Sequence, residues 1–266
     1  MEEVHFWRGS AEQRAMRALA EKSGQFAYFD RQLDYPDWQD KMVLDFGGNT
    51  GSFLRDSSRA IRPENYYCLD VLRDAVEEGR RRFPRAHWFH YDRYNRSFNP
   101  EGIANLSIPD LGVDFDAILA YSVFTHTTRE EMRELVNELL GRLARGGTLA
   151  FTFIDPHHHS WPGEYEGNNL QWRLEKVLET NPDLKVPELL EKGRDAVWSA
   201  LIDGSELHVN NNGTWNHHPG SCMTYDVFYT AEFLQREFPA ATIRPPVKGE
   251  MQHCCIIRAP AAVREM

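Results

Sequence analysis

The sequence predicts a doubly wound α/β domain, and three observations carry that expectation. Short apolar strands alternate with helical segments as far as residue 155. The first strand runs into a glycine-rich turn, Asp45-Phe46-Gly47-Gly48-Asn49-Thr50-Gly51, and the second closes on a carboxylate, Asp70. Parallel strands need a crossover between them, and a helix after each strand supplies it, so the alternation predicts a mainly parallel sheet.

The elements follow in order. Ser10 is the N-cap of a helix reaching about Ser23, followed by an aromatic segment through Phe29. Residues 42–46, 66–69 and 87–90 read as the first three strands, the third ending near Asp92. Arg80-Arg81-Arg82 and Arg85 read as the solvated, dipole-compensating end of a helix stopped by Pro84. Residues 115–120 form the fourth strand. Thr128 and Glu131 then make a capping box before an apolar stripe at Met132, Leu135, Val136, Leu139, Leu140 and Leu143. Gly146-Gly147 is expected to close that helix in the left-handed conformation, with a β-branched and aromatic strand over 148–154.

Beyond Asp155 the alternation stops until about residue 225, longer than ordinary loops run, which signals a functional insertion. Within it, helices are expected near 170–179 and 187–202, and a polar loop over 210–221. The core returns as a helix over 230–237 and two antiparallel strands near 241–244 and 252–258. The expected organisation is an N-terminal helical segment (1–40), a core (41–155 and 225–266) and an inserted cap (156–224).

Composition narrows the function. The chain has 266 residues, 41% hydrophobic and 12% aromatic, enough to bury a full-sized core in one large domain or a domain with an insertion. A formal charge of −10 argues against a dominant phosphate-binding surface, so no nucleic-acid partner is expected. No apolar run reaches membrane-spanning length, and no basic segment followed by an apolar run opens the sequence, so a membrane partner and secretion are not expected. Four cysteines, without the spacing of a zinc knuckle, fit a reduced cytoplasmic setting.

The turn has a chemical reading. Glycines at 47, 48 and 51 let backbone N–H groups and the next helix's positive end approach a ligand closely. Asp45 can accept from the turn or, through water, from a ligand ammonium, and Asp70 is placed to accept from the two ribose hydroxyls of an adenosine. The spacing is not the G-x-G-x-x-G of nicotinamide-binding folds. Val43-Leu44-Asp45-Phe46-Gly47-Gly48-Asn49-Thr50-Gly51 resembles the first motif of class I S-adenosylmethionine-dependent methyltransferases of the small-molecule type. Leu69-Asp70-Val71 resembles their acidic ribose motif, and Tyr91-Asp92 their adenine-contacting motif. Residues 115–118 and 121–126 resemble the fourth strand and its loop, and residues 143–147 the turn into strand five. Asn49 stands where glycine is common, and asparagine is the residue after glycine that best tolerates positive φ.

The resemblance implies a Rossmann-like seven-stranded sheet and S-adenosyl-L-methionine as cofactor, with S-adenosyl-L-homocysteine as product. It implies cofactor contacts at Asp45, Phe46, Gly47, Gly48, Asn49, Gly51, Asp70, Val71, Asp92, Arg93, Tyr121, Ser122 and Val123, with Phe124 or His126 facing the reaction space. Tyr28 and Phe29 come over the cofactor or serve the core.

Methyl transfer needs an aligned nucleophile and, for some acceptors, a base. His126 ranks first by its place at the catalytic edge, followed by His157 and His217 in the insertion. Asp155, His157, His159 and His217 read as a base cluster or as ligands of a divalent metal; no fixed ligand spacing supports the metal, so none is expected. His159, Trp161 and Trp215, with Phe124, are the expected acceptor contacts, within an aromatic-rich cap that also holds Tyr165, Trp172 and Trp198. The expected activity is methylation of O, N or C of a small metabolite, secondary metabolites included, by a monomer or homodimer. Two other readings stay compatible: a protein or RNA methyltransferase, and a non-methylating enzyme using bound S-adenosylmethionine, for example in cyclisation.

Overall fold

Strand residues pointing alternately to two faces, each face apolar, build a sheet that must be covered twice. In the computed structural model, which describes residues 24–95, 98–155, 206–211, 224–247, 250 and 252–260, the chain folds this way. The main sheet holds β1 (Val43–Phe46), β2 (Tyr66–Asp70), β3 (His87–His90), β4 (Phe115–Ala120), β5 (Leu143–Phe153), β8 (Thr242–Arg244) and β9 (His253–Arg258). Their spatial order is β3-β2-β1-β4-β5-β9-β8. The first five strands are parallel, and β9 runs antiparallel to both neighbours, as the sequence predicts. A separate antiparallel pair joins β6 (Glu206–Asn211) to β7 (Thr224–Tyr229).

Helices α1 (Gln25–Gln32), α2 (Ser52–Asp56), α3 (Arg73–Arg82), α4 (Arg129–Leu140) and α5 (Ala231–Glu237) connect and cover the strands. Alternate residues of each strand enter opposite cores. Val43, Ala150, Cys254 and Ile256 join Phe29 of α1, Phe53 of α2 and Val76 of α3 on one face. Leu44, Leu149, Cys255 and Ile257 join Met132, Leu135 and Leu139 of α4 and Leu234 of α5 on the other.

The capping box is present: Thr128 accepts from the Glu131 backbone N–H, and the Glu131 carboxylate accepts from the Thr128 N–H. Arg81 and Arg82 at the end of α3 pair with Glu78 of the same helix. Three expectations change. The aromatic segment through Phe29 is helical, because Tyr28, Phe29 and Gln32 form one buried face. Helix α4 stops at Gly141, before the two glycines, and Leu143 already belongs to β5, where it pairs with Phe115. Gly146 does hold the left-handed φ of 75°, but it serves a shift of register between β4 and β5, where a Cβ on Gly147 would lie 2.7 Å from the Phe115 carbonyl. Asn210 and Asn211, expected in a loop, pair with Tyr225 and Thr224 in the β6–β7 ladder. The expected helices over 10–23, 170–179 and 187–202 lie outside the described residues, as does most of the expected cap.

Candidate active site

The carboxyl ends of β1, β2 and β4 meet around one cavity of about 430 Å³, within the range of about 300–1,000 Å³ typical of small-molecule sites. Its floor begins at the glycine turn. Gly47, Asn49 and Gly51 hold φ at 73°, 56° and 84°, so the substitution of asparagine for glycine preserves the bend. A Cβ at Gly47 would collide with Cγ2 of Val123, and one at Gly48 would come within 2.5 Å of the Asp45 carboxyl. The turn is therefore pressed between the loop after β4 and the strand beneath it.

Asp70 organises both the turn and the start of the next crossover. Its two carboxylate oxygens accept from the backbone N–H groups of Asn49 and Leu72, each at 2.7 Å. Asp45 does not line the cavity: it is buried beneath the turn, and its carboxylate accepts from the Tyr66 hydroxyl at 2.6 Å. Burial pushes its acid up to about 7, the Tyr66 bond partly offsets this, and the charge of Asp70 adds to it.

Phe46, Gly47, Asn49, Asp70, Val71, Arg93, Tyr121, Ser122, Val123 and His126 line the cavity, so the structure brings most of the expected residues to one place. Arg93 is also committed to structure: it pairs with Glu134 of α4 at 2.9 Å and donates to the Leu106 carbonyl, and this bond holds the Glu134 carboxyl below its usual range. Gly48, Gly51 and Asp92 stand outside the lining. Asp92 accepts from Asn99, and a Cβ on Gly51 would reach Trp88 at 2.7 Å.

Phe124 departs from expectation. It is fully buried between Phe46 and Phe151, with ring centroids 6.4 and 4.9 Å away, so it packs the core and does not face the cavity. Tyr28 and Phe29 are likewise buried and meet Tyr121 edge-on. Asp155 accepts from the Ala231 N–H at the start of α5. His157, His159, Trp161, His217 and Trp215 lie outside the described residues.

Other lining residues escaped the sequence reading. Tyr94, Asn95 and Phe98 come from the stretch after β3, which folds back through paired Asn95 and Asn99 backbones. Asn95 donates to the His126 carbonyl at 3.0 Å, and Phe98 meets the His126 ring edge-on at 5.0 Å. Only their position after a parallel strand's carboxyl end could have pointed to them. Gln25 of α1 and Glu131 and Leu135 of α4 complete the wall, brought in by tertiary packing.

Compared with known families, residues 44–149 match the model described as a methyltransferase domain. The match runs from β1 into β5 and takes in the glycine turn, Asp70 and the loop after β4. No curated protein sequence matches the chain. Among solved structures, this chain is similar in fold to the pyocyanin biosynthetic protein PhzM, with a TM-score of 0.54 and 11% identity over 97% of this chain and 62% of that one. It is also similar to the glycopeptide N-methyltransferase MtfA complexed with S-adenosyl-L-homocysteine (TM-score 0.52, 11% identity, 89% of each chain). A third is the S-adenosylmethionine-dependent methyltransferase SibL in its apo form (TM-score 0.52, 14% identity, 96% of this chain and 62% of that one). At these identities the likeness is one of fold. Among the described residues, no group of three His, Cys, Asp or Glu side chains is placed to hold a metal, and no helix is long and apolar enough to cross a membrane.

Proposed function

We propose that this methyltransferase moves the methyl group of S-adenosylmethionine to an oxygen, nitrogen or carbon atom of a small metabolite, leaving S-adenosylhomocysteine. The observation that carries the proposal is a single cavity bounded both by the left-handed glycine turn with Asp70 and by the loop after β4. The residues fit an adenosyl amino acid. Gly47 offers backbone where a side chain could not stand, and Asp70, oriented at the cavity wall by two N–H bonds, is the proposed acceptor for the ribose hydroxyls. Val71 and Leu72 supply apolar wall beside it for a purine.

The bound cofactor would supply an activated methyl group on a sulfonium. The chain's part is to align the acceptor, exclude water and, where the acceptor needs it, take a proton. His126 lines the cavity and is the proposed base, its backbone held by Asn95 and its ring by Phe98. Segment 156–224, from its place after β5 and its aromatic content, is proposed to select the acceptor. PhzM and MtfA are named for pyocyanin biosynthesis and glycopeptide N-methylation, which supports a metabolite rather than a macromolecule as acceptor here.

Mass spectrometry of ligands retained through native purification, followed by S-adenosylhomocysteine release measured across a panel of small hydroxyl, amine and activated-carbon acceptors, tests the proposal. Cofactor retention with product release from at least one acceptor is the expected result. Methyl label incorporated only into protein or RNA would overturn the small-acceptor reading, and cofactor binding with an acceptor converted but no S-adenosylhomocysteine formed would point to non-methyl chemistry.

A further inference from the structure

One buried side chain far along the chain ties three elements to the cavity wall. Ser122 lies two residues past the end of β4, lines the cavity and holds φ at 57°, a conformation an L side chain adopts only when its surroundings impose it. The surroundings are a closed circuit of hydrogen bonds, buried between Thr152 and Gln252 and part-buried at Ser122. The Ser122 backbone N–H donates to the Thr152 hydroxyl of β5 at 2.7 Å. Thr152 passes its own hydrogen to the Gln252 side-chain carbonyl, which orients that amide, and the Gln252 NH₂ then donates to the Ser122 hydroxyl at 3.1 Å. Gln252 also accepts, through its backbone carbonyl, from the Tyr28 hydroxyl of α1 at 3.0 Å.

The proton count continues around the loop. Thr125 has one hydrogen, which the Ser122 carbonyl accepts at 3.0 Å, so the 3.0 Å contact between the two hydroxyls is a donation from Ser122 to Thr125. The Ser122 hydroxyl has then spent its hydrogen and one lone pair. A ligand group reaching it from the cavity must bring the hydrogen itself.

We propose that Gln252 is a positioning residue for methyl transfer: through Thr152 and Ser122 it fixes the loop after β4, and it leaves the Ser122 hydroxyl to ligands as an acceptor only. The ligand group it takes is a donor, an ammonium or a hydroxyl. The methyl-transfer part rests on the proposed function, whereas the anchoring of the loop does not.

The test combines calorimetry with S-adenosylhomocysteine and amide hydrogen exchange over residues 121–127. Gln252→Leu keeps the shape and removes both amide bonds. It should bind about tenfold more weakly, the scale of stranding a buried hydrogen-bonding group, with faster exchange over 121–127. Gln252→Glu supplies a readout that packing alone would not move. Protonated, the introduced carboxyl can donate to Ser122 and accept from Thr152; ionised, it can only accept. Its affinity relative to the wild type should therefore recover as pH falls from 8 to 5. Wild-type affinity in Gln252→Leu, unchanged exchange over 121–127, or a pH profile of Gln252→Glu parallel to the wild type would overturn the proposal. If wild type binds no S-adenosylhomocysteine, the cofactor reading fails on its own, and exchange decides the anchoring: faster in the leucine variant supports it, unchanged sinks it. Should that variant not fold, Thr152→Val breaks the same circuit at similar volume and is read the same way.

Discussion

At the scale of single residues, the site is built from backbone positions that only certain side chains permit. Gly47 combines a left-handed φ with contact against Val123, so Gly47→Ala suffers both strain and collision. The strain alone costs about 1–2 kcal/mol; urea unfolding should show at least that loss, and calorimetry a loss of S-adenosylhomocysteine binding. Asp70 holds two N–H groups and is proposed to hold the ribose. Asp70→Ala should weaken binding roughly ten- to a hundredfold, the scale of charge-assisted hydrogen bonds, and an unchanged dissociation constant would remove Asp70 from that role. His126→Ala separates two positions in the cavity: a base lowers kcat and leaves cofactor affinity alone, whereas a residue of the cofactor's own wall, beside Phe98, lowers affinity. All three residues were legible in the sequence, because a glycine turn after a strand, an acid closing the next and a histidine past the fourth each carry local meaning. Gln252 was not: a lone glutamine near the end of the chain has no local signature, and only β9 lying beside β5 brings it to Ser122.

At the scale of elements, the post-β4 segment shows how sequence and packing divide the work. Thr128 and Glu131 satisfy each other's orphan donors at the start of α4, and the apolar stripe behind them fills one core. Thr128→Ala should cost about 1 kcal/mol of stability, as N-cap losses do, with little effect on cofactor affinity; a neutral result in urea unfolding would mean that packing alone holds the helix start. The stripe was legible as far as Leu140. Leu143 was assigned to the wrong element because it continues the helical spacing, yet Gly141 ends the helix and Phe115 recruits Leu143 into a strand, a pairing that exists only once β4 is in place. Phe124 failed for the same kind of reason. A loop aromatic beside the expected reaction space reads as a contact, but the short 3₁₀ turn Phe124–His126 points its ring between Phe46 and Phe151.

Across the whole molecule, stability should carry the mark of one buried acid. Asp45 holds its proton to about pH 7 in the folded state because burial disfavours the carboxylate, whereas its unfolded counterpart ionises near 4. Between these values the folded state binds more protons, so stability should fall as pH rises from about 4 to 7 and level off above. Asp45→Asn should remove that component: the difference in unfolding free energy between wild type and variant, measured in urea across this range, should drift against the wild type, and a constant difference would refute the assignment. Ligand linkage is a second global readout, since S-adenosylhomocysteine at a hundred times its dissociation constant should stabilise the fold by about 2.7 kcal/mol. The sequence by itself determined the parallel β-α order, the glycine turn, the acid at 70 and the capped helix after β4. Each is a local pattern whose period or backbone geometry is written within a few neighbouring residues. Only the tertiary structure decided that Asp45 lies beneath the site, that Phe124 belongs to the core and that Tyr94, Asn95 and Phe98 wall the cavity. It likewise brought Gln252 to the loop after β4. Those outcomes depend on which distant strands and loops become neighbours, and contacts between residues far apart in the chain leave no period to read.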